Sequence, residues 1–414
     1  MDNTSTENKP QQQPVMSKAQ RALASGKYYA FFVAYMVILS ALGSFVNDLY
    51  LPALPEMVGF FHTTVPTVQL GLTMGMIGLG VGQLVLGPLS DRLGRKPVLI
   101  GSISVFIVGA VVSIFSPTIH FFLGCRVIQG LGASGGYFLA RTIPADVYSG
   151  RPLAKVMAII GAINGIAPAG APILGGIITD TWGWRGAFVA LTIFAAIVIA
   201  LSPMLKESLA PARRFHGTVA KGWSGYLELL KNRAFMTHTA FKGVALGMLF
   251  AYISSSPFIL QKHYGLSETV FGLVIGANAV FVAAGSMLAL KFNPLKKASV
   301  VGAALLMIAS AAQAVALWFV HSIWVFEICA VLMVFSLGMI FSVTNTLAMN
   351  EGRQRAGEAS AVLGISGYIV GAIVSPLVGI GDIMHSTAIT FVILGAITLF
   401  FSLLSRRIAP DLDK

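Results

Sequence analysis

Four ionisable side chains lie inside long apolar stretches: Asp48, Arg126, Lys242 and Glu327. Charges in such surroundings are costly and mark candidate ion or proton sites. Asp48 closes an apolar run and is followed by Leu49, Tyr50 and Leu51 rather than by a polar loop. Low dielectric favours a neutral carboxyl, whereas a nearby arginine favours the ionised form. A carboxyl whose surroundings alternate between those conditions can load a proton on one side and release it on the other. The alternative is an interfacial acid that caps a proline-terminated helix. Twenty residues from Tyr28 make about 30 Å of helix, enough to reach the boundary, so depth alone leaves both readings open. Lys242 lies a few residues inside its run, where its stem can snorkel to water. Glu327 lies near the opposite end of its run and is expected to reach water. Neither is expected to carry a coupling proton.

Other chemistries lack their residues. There is no phosphate-cradling Gly-rich loop with its lysine, so nucleotide-driven work is not expected. No clustered His, Cys and carboxylate set offers a metal site, so no metal and no cofactor is expected, and the chain is not expected to be an enzyme. Cys125 and Cys329 fall in different apolar runs and read as small packing side chains rather than a disulfide.

The elements that must position these residues follow from composition. Of 414 residues, 56% are hydrophobic and 11% charged, against about 25% charged in soluble domains. Mean hydropathy is +0.81. Such a chain cannot clothe a water-soluble fold. Runs approaching ~20 apolar residues indicate membrane-crossing helices instead, and alternating ~10-residue strands are missing. The net charge of +12 sits in short polar segments between the runs, a pattern of topology rather than of a nucleic-acid groove.

Twelve spans are expected near 28–53, 67–89, 98–116, 120–143, 154–178, 186–205, 237–260, 268–290, 298–319, 323–346, 358–380 and 386–405. The expected class is therefore an all-α polytopic membrane protein. Residues 1–27 form a polar tail expected to be disordered, 28–205 a first six-helix bundle, 206–236 a basic linker, 237–405 a second bundle and 406–414 a short tail. An interfacial helix is expected around Trp223–Leu230. With both termini in the cytoplasm, 24 of the 28 Lys and Arg residues fall inside, and only Arg185 and Lys262 fall outside. Pro52 and Pro257 are expected to end the first and seventh spans, an offset of about 205 residues that suggests two parallel repeats.

Several strings carry a family resemblance. Between the second and third spans run Gly87-Pro88-Leu89-Ser90-Asp91-Arg92-Leu93-Gly94-Arg95-Lys96. The fourth holds Arg126-Val127-Ile128-Gln129-Gly130. The fifth reads Ala167-Pro168-Ala169-Gly170-Ala171-Pro172-Ile173-Leu174-Gly175-Gly176. The first closely resembles the signature loop of major facilitator superfamily transporters, the second their helix-4 arginine motif and the third the motif of their drug/proton antiporters. Residues 47–55 (Asn-Asp-Leu-Tyr-Leu-Pro-Ala-Leu-Pro), 256–266 and 356–364 are similar to segments of the bicyclomycin- and chloramphenicol-resistance family within it. One departure is the loop Lys291–Lys297, which lacks a second copy of the signature.

The resemblance implies the major facilitator fold of two six-helix bundles in the bacterial cytoplasmic (inner) membrane. It implies a monomeric, proton-coupled exporter of small amphiphilic drugs of the phenicol or bicyclomycin kind, working by alternating access. A metabolite exporter or proton symporter on the same fold is the alternative. Asp48 would be the proton site, with Arg126 tuning it. Asp91, Arg92 and Arg95, on a turn permitted by Gly87 and Gly94, would latch the bundles together on the cytoplasmic side. Ala167, Pro168, Ala171, Pro172, Gly175 and Gly176 would form a pivot or seal. A mostly apolar, aromatic pocket is expected between the halves, with Tyr35, Leu39, Tyr137, Phe138, Tyr252, Phe258 and Tyr368 as candidates. The drug and the lipid bilayer are the expected partners, and nucleic acid is not.

Overall fold

The structure is a computed structural model that describes residues 26–148, 150–211, 214 and 224–408. Residues 1–25 of the tail expected to be disordered, residues 212, 213 and 215–223 of the basic linker and residues 409–414 lie outside the described residues.

Among the described residues twelve long helices make up the fold. The first six are α1 (Gly26–Asp48), α2 (Val65–Leu93), α3 (Arg95–Ile114), α4 (Ile119–Val147), α5 (150–182) and α6 (184–201). The second six are α7 (Arg233–Pro257), α8 (Glu268–Ala289), α9 (Leu295–Val315), α10 (Ile323–Glu351), α11 (Ala356–Leu377) and α12 (Ile383–Ile408). α5 and α6 form one helical run, Gly150–Leu201, broken only at Gly183, whose φ of 65° suits glycine. The carboxylate of Glu56 takes the Trp184 N–H at 2.7 Å just past this corner. α4 is the least uniformly apolar span, since it carries Arg126, Gln129, Arg141 and Asp146.

Within each half the helices pack closely, with α4 against α1, α2 and α3, and α7 against α10, α11 and α12. Small residues set the spacing. A Cβ on Gly130 would strike the backbone of Gly75, Gly78 and Leu79 in α2, so only glycine permits this approach. The halves meet mainly through α5 with α8 and α2 with α11. These two contacts are equivalent under a two-fold relation of the halves, because α2 corresponds to α8 and α5 to α11.

Two expected ends differ. α1 stops at Asp48, and Pro52 sits in a separate 3-10 turn, Leu51–Ala53. Pro257 does not end the seventh span, which continues as a π-helical turn over Phe258–His263. Proline lacks only the backbone donor to the preceding turn, and the wider turn accommodates that loss. The linker helix is present as Ser224–Lys231; Trp223 lies outside the described residues. Both cysteines are free and buried on different helices.

Candidate functional site

With an even number of crossings, the two chain ends share one side of the bundle, here termed the tail side. The opposite side is the far side.

At the end of α1, Arg126 of α4 is fully buried. Its Nε donates to the Gly71 carbonyl at 3.1 Å and one terminal nitrogen to Gln129 Oε1 at 2.6 Å. The other donates to the Val46 carbonyl at 3.1 Å and to Asn47 Oδ1 at 2.9 Å. Its guanidinium lies over the Tyr50 ring, 4.5 Å from the centroid. Gly75 leaves the room, since a Cβ there would sit 2.7 Å from the guanidinium. Arg126 thus ties α1, α2 and α4 together through neutral acceptors.

Asp48, the next residue, is partly exposed and makes no ion pair among the described residues. The structure does not join Asp48 to Arg126 directly; Tyr50 lies in the field of both. Asp48 also acts electrostatically on Tyr368 of α11, across the space between the halves.

A second cluster surrounds Tyr368. Arg141 of α4 stacks on Tyr137, 4.3 Å from the ring centroid, and donates to its hydroxyl at 2.8 Å. Tyr368 lies within electrostatic reach of both Tyr137 and Arg141, and its ring is 6.1 Å from that of Phe250. Lys242 of α7 donates to Asn345 of α10 at 2.9 Å and lies in the field of Arg141. α4 does not pack closely on α7, α10 or α11. These partly exposed side chains therefore project into a cleft between the halves. The Lys242–Asn345 bond is exposed, with Asn345 on the open face of α10. Arg141 and Asn345 were missed by sequence reasoning: Arg141 went into the count of loop charges, and Asn345 is an uncharged residue of α10. An arginine four residues after a tyrosine on one helix face was the available signal.

Of the seven expected pocket residues, only Tyr137 and Tyr368 are brought together. Tyr35 is buried in the first half, its hydroxyl donating to the Val198 carbonyl at 3.2 Å and paired with Ser202 Oγ at 2.9 Å. Leu39 packs on Gly136. Phe138 turns toward Gly87, and Phe258 is in the core. Tyr252 faces inside the second half, where Asn278 donates to its hydroxyl at 2.7 Å and to Glu327 Oε2 at 2.9 Å. Glu327 does not reach water as expected: its Oε1 is buried and has no hydrogen-bond partner. An apolar crevice of about 250 Å³ between Phe45, Leu174 and Phe194 opens on the membrane-facing flank, away from these groups.

The two ends of the cleft differ. On the far side, four side-chain hydrogen bonds join the halves among the described residues. Gln69 donates to the Ser254 carbonyl at 2.9 Å, Thr73 to the Ala372 carbonyl at 2.9 Å, Gln261 to the Pro52 carbonyl at 3.0 Å and Thr269 to Asp180 at 3.0 Å. The string 167–176 backs this closure. A Cβ on Gly176 would overlap the Glu268 carbonyl of the other half, and one on Gly175 the Leu49 carbonyl of its own half. Pro172 lies against Gly272, Ala169 against Gly276, and Ala167 and Ala171 are buried.

On the tail side, the 87–96 string is tied within its own half. Arg95 pairs with Asp91 at 2.5 Å and Asp146 at 2.8 Å and donates to Ser90 Oγ at 2.6 Å. The turn is Gly94, with φ 105°. Glu207 caps α3, accepting the Arg95 and Lys96 N–H groups at 3.0 and 3.1 Å. Arg92 is exposed. The Tyr226 phenol of the linker helix is pushed up by burial and by the carboxylates of Glu358 and Asp91, one from each half. No side-chain hydrogen bond joins the two bundles directly on this side among the described residues, so the cleft is closed at the far side.

The profile of the family described as Major Facilitator Superfamily matches residues 33–376. An uncharacterised MFS-type transporter, YdgK of Bacillus subtilis (strain 168), is 32% identical over 397 residues, 94% of this chain and 98% of that one. A chloramphenicol resistance protein of Pseudomonas aeruginosa is 34% identical over 247 residues, 59% of this chain and 57% of the relative. Multidrug resistance protein D of Escherichia coli (strain K12) is 25% identical over 338 residues, 80% and 83% of the two chains. Among solved structures, a bacterial homologue of the human lysosomal transporter Spinster, inward-facing and unoccupied, superposes with a TM-score of 0.76 at 15% identity, covering 92% of this chain and 98% of that one. The xylose transporter XylE of E. coli, partially occluded and inward-open, gives 0.71 at 14%, covering 94% and 99%. At such identities these two show the fold alone.

Proposed function

The chain belongs to the major facilitator superfamily and is a multi-pass membrane transporter, and we propose that it exports small amphiphilic drugs in exchange for protons by alternating access. The single observation that carries this reading is the space between the halves, closed at one end, beside which lie the partly exposed acid Asp48, with no ion pair among the described residues, and the partly exposed aromatic side chains Tyr137 and Tyr368. The names of the chloramphenicol and multidrug resistance relatives support the choice of cargo. The positive-inside count supports placing both termini in the cytoplasm of a bacterial inner membrane. In that orientation the far side is external and the structure is the inward-facing state.

Asp48 is the proton carrier in this mechanism. It faces the cleft, and opening of the far side shifts it between solvent on one side and packed aromatic surroundings on the other. Arg126 holds the end of α1 in register rather than pairing with the acid. A cleft flanked by both halves suffices within one chain, so the working unit is a monomer. The superfamily's drug exporters and this site's phenolic lining make phenicol- or bicyclomycin-like compounds the first candidates.

Everted membrane vesicles test the reading. With a preset interior-acid gradient, addition of a transported drug is expected to collapse part of the gradient in vesicles carrying the protein and not in empty ones. An unchanged gradient across a panel of phenicols, bicyclomycin and other amphiphilic drugs, with the protein demonstrably inserted, would reject drug/proton exchange.

A further inference from the structure

The far-side ends of α7 and α9 each pass into a π-helical turn, Phe258–His263 and Ala316–Val320. His263 closes the first turn. His321 follows the second and donates its backbone N–H to the Ala316 carbonyl at 3.1 Å. The two imidazoles meet with ring centroids 5.8 Å apart and planes tilted by 47°. Both residues are exposed. Among the described residues the side-chain hydrogen bonds and ion pairs of histidine fall on His238 and His385. The ring nitrogens of His263 and His321 are thus open to a ligand.

Packing does not account for this pair. A tilt of 47° is neither stacked nor edge-on, and two exposed rings gain little from each other. Chelation fits the geometry better. Zinc binds an imidazole nitrogen at about 2.0–2.1 Å, which places it about 3.2 Å from the ring centre and sets two rings on one tetrahedral ion about 5.2 Å apart. The observed separation is about 0.6 Å wider than that, and small rotations of exposed side chains close such a gap. The described residues hold no group of three or more His, Cys, Asp or Glu for a metal, so the pair supplies two positions and water the others. Imidazole suits Zn²⁺, Cu²⁺ and Ni²⁺, whereas Mg²⁺ prefers oxygen. Lys262 precedes His263 but is itself exposed, where water and salt screen its charge.

We propose that His263 and His321 together bind a divalent d-block cation, Zn²⁺, Cu²⁺ or Ni²⁺, at the far-side surface of the second half. The site lies outside the cleft and goes beyond the exporter reading, on which it does not depend. It also has a mechanical side. The π-turn that ends at His263 carries Gln261, which donates to the Pro52 carbonyl of the first half at 3.0 Å. An ion held by both histidines ties that turn to the loop between α9 and α10. It therefore steadies one of the groups that shut the far side.

The test uses the full chain, without an affinity tag, in lipid nanodiscs, titrated with Zn²⁺, Cu²⁺, Ni²⁺ or Mg²⁺ alone. Calorimetry is expected to show saturable binding of at least one of the three d-block ions and none of Mg²⁺. His263→Ala and His321→Asn are each expected to weaken that binding about tenfold or more. Asparagine is chosen because it tolerates the left-handed backbone at His321, whose φ is 47°. His62→Asn, at another exposed far-side histidine with the same φ, is the control and should bind like wild type. The bound ion is expected to raise the melting temperature of wild type by about 2 °C or more, and to leave that of both pair variants unmoved. Equal melting temperatures without metal show that the variants are folded. The proposal is overturned if none of the three ions binds saturably, if Mg²⁺ binds as tightly as they do, or if either pair variant binds like wild type.

Discussion

Arg126 donates to Asn47 at 2.9 Å and not to the neighbouring Asp48, which forms no ion pair among the described residues. The two adjacent positions therefore answer to different tests. Asp48→Asn is expected to abolish proton-driven export while neutral-drug binding remains measurable and the melting temperature stays near wild type. Asn47→Ala leaves a buried guanidinium short of an acceptor and is expected to cost about 1–3 kcal/mol of stability, with coupling retained. Vesicle acidification assays and thermal melts on both variants check the split; a D48N protein that still exchanges protons like wild type would place the proton elsewhere.

Gly176, opposite Glu268 of the other half, governs closure of the far side. Gly176→Ala puts a Cβ onto a backbone carbonyl that no rotamer can move, and overpacking of this kind costs about 1–3 kcal/mol. Because the overlap exists only when the far side is shut, the penalty is expected to raise the far-side-open population about tenfold or more. Spin labels at the far-side ends of α5 and α8 report it as a longer distance distribution. Labels that keep the wild-type distances would show that Gly176 has no part in the closure.

Glu207 takes both free N–H groups at the start of α3. Glu207→Ala is expected to cost about 1–2 kcal/mol, as loss of an N-terminal cap does, whereas Glu207→Gln should recover most of it. Thermal unfolding of the two variants provides the comparison. An alanine variant as stable as wild type would mean that water replaces the carboxylate.

Tyr137 and Tyr368 border the cleft, whereas Tyr35 and Leu39 are core. Joint replacement of Tyr137 and Tyr368 by Ala is expected to change which drugs are exported at undiminished membrane insertion. Leu39→Ala is expected to destabilise by about 2–5 kcal/mol with the spectrum unaltered. Susceptibility panels in a pump-deficient host, normalised to protein in the membrane, distinguish the two.

Glu327 is hydrogen-bonded only through Asn278 and lies inside the second half. Glu327→Gln keeps the size and an acceptor for Asn278, so proton-coupled transport is expected to persist. Loss of coupling in this variant at normal expression would move the proton site from the first half to the second.

The helices were legible in the sequence because a bilayer demands long apolar runs, and the tight α2–α4 approach because glycines mark it. The contents of the cleft were less so. A tyrosine on a membrane helix reads alike whether it faces the partner half, as Tyr368 does, or its own, as Tyr35 does; only the packing angle decides. Arg126 announced itself as a buried charge, but its acceptor set, mostly backbone and amide oxygens, has no sequence signature. Pro257 misled because a π-turn absorbs a proline that would end an ordinary helix.

The two ends of the cleft are also built from different kinds of bond. At the far side the halves are held by amide and hydroxyl groups, chiefly on backbone carbonyls. The tail side is furnished with Arg95, Asp91, Asp146, Arg355, Glu228 and Glu358. Ions screen the second set and scarcely touch the first. Dissolved electrolyte on the tail-side face of the membrane would thus loosen the ion pairs that fix the tail-side ends of the helices, while the closure at the opposite face stays indifferent.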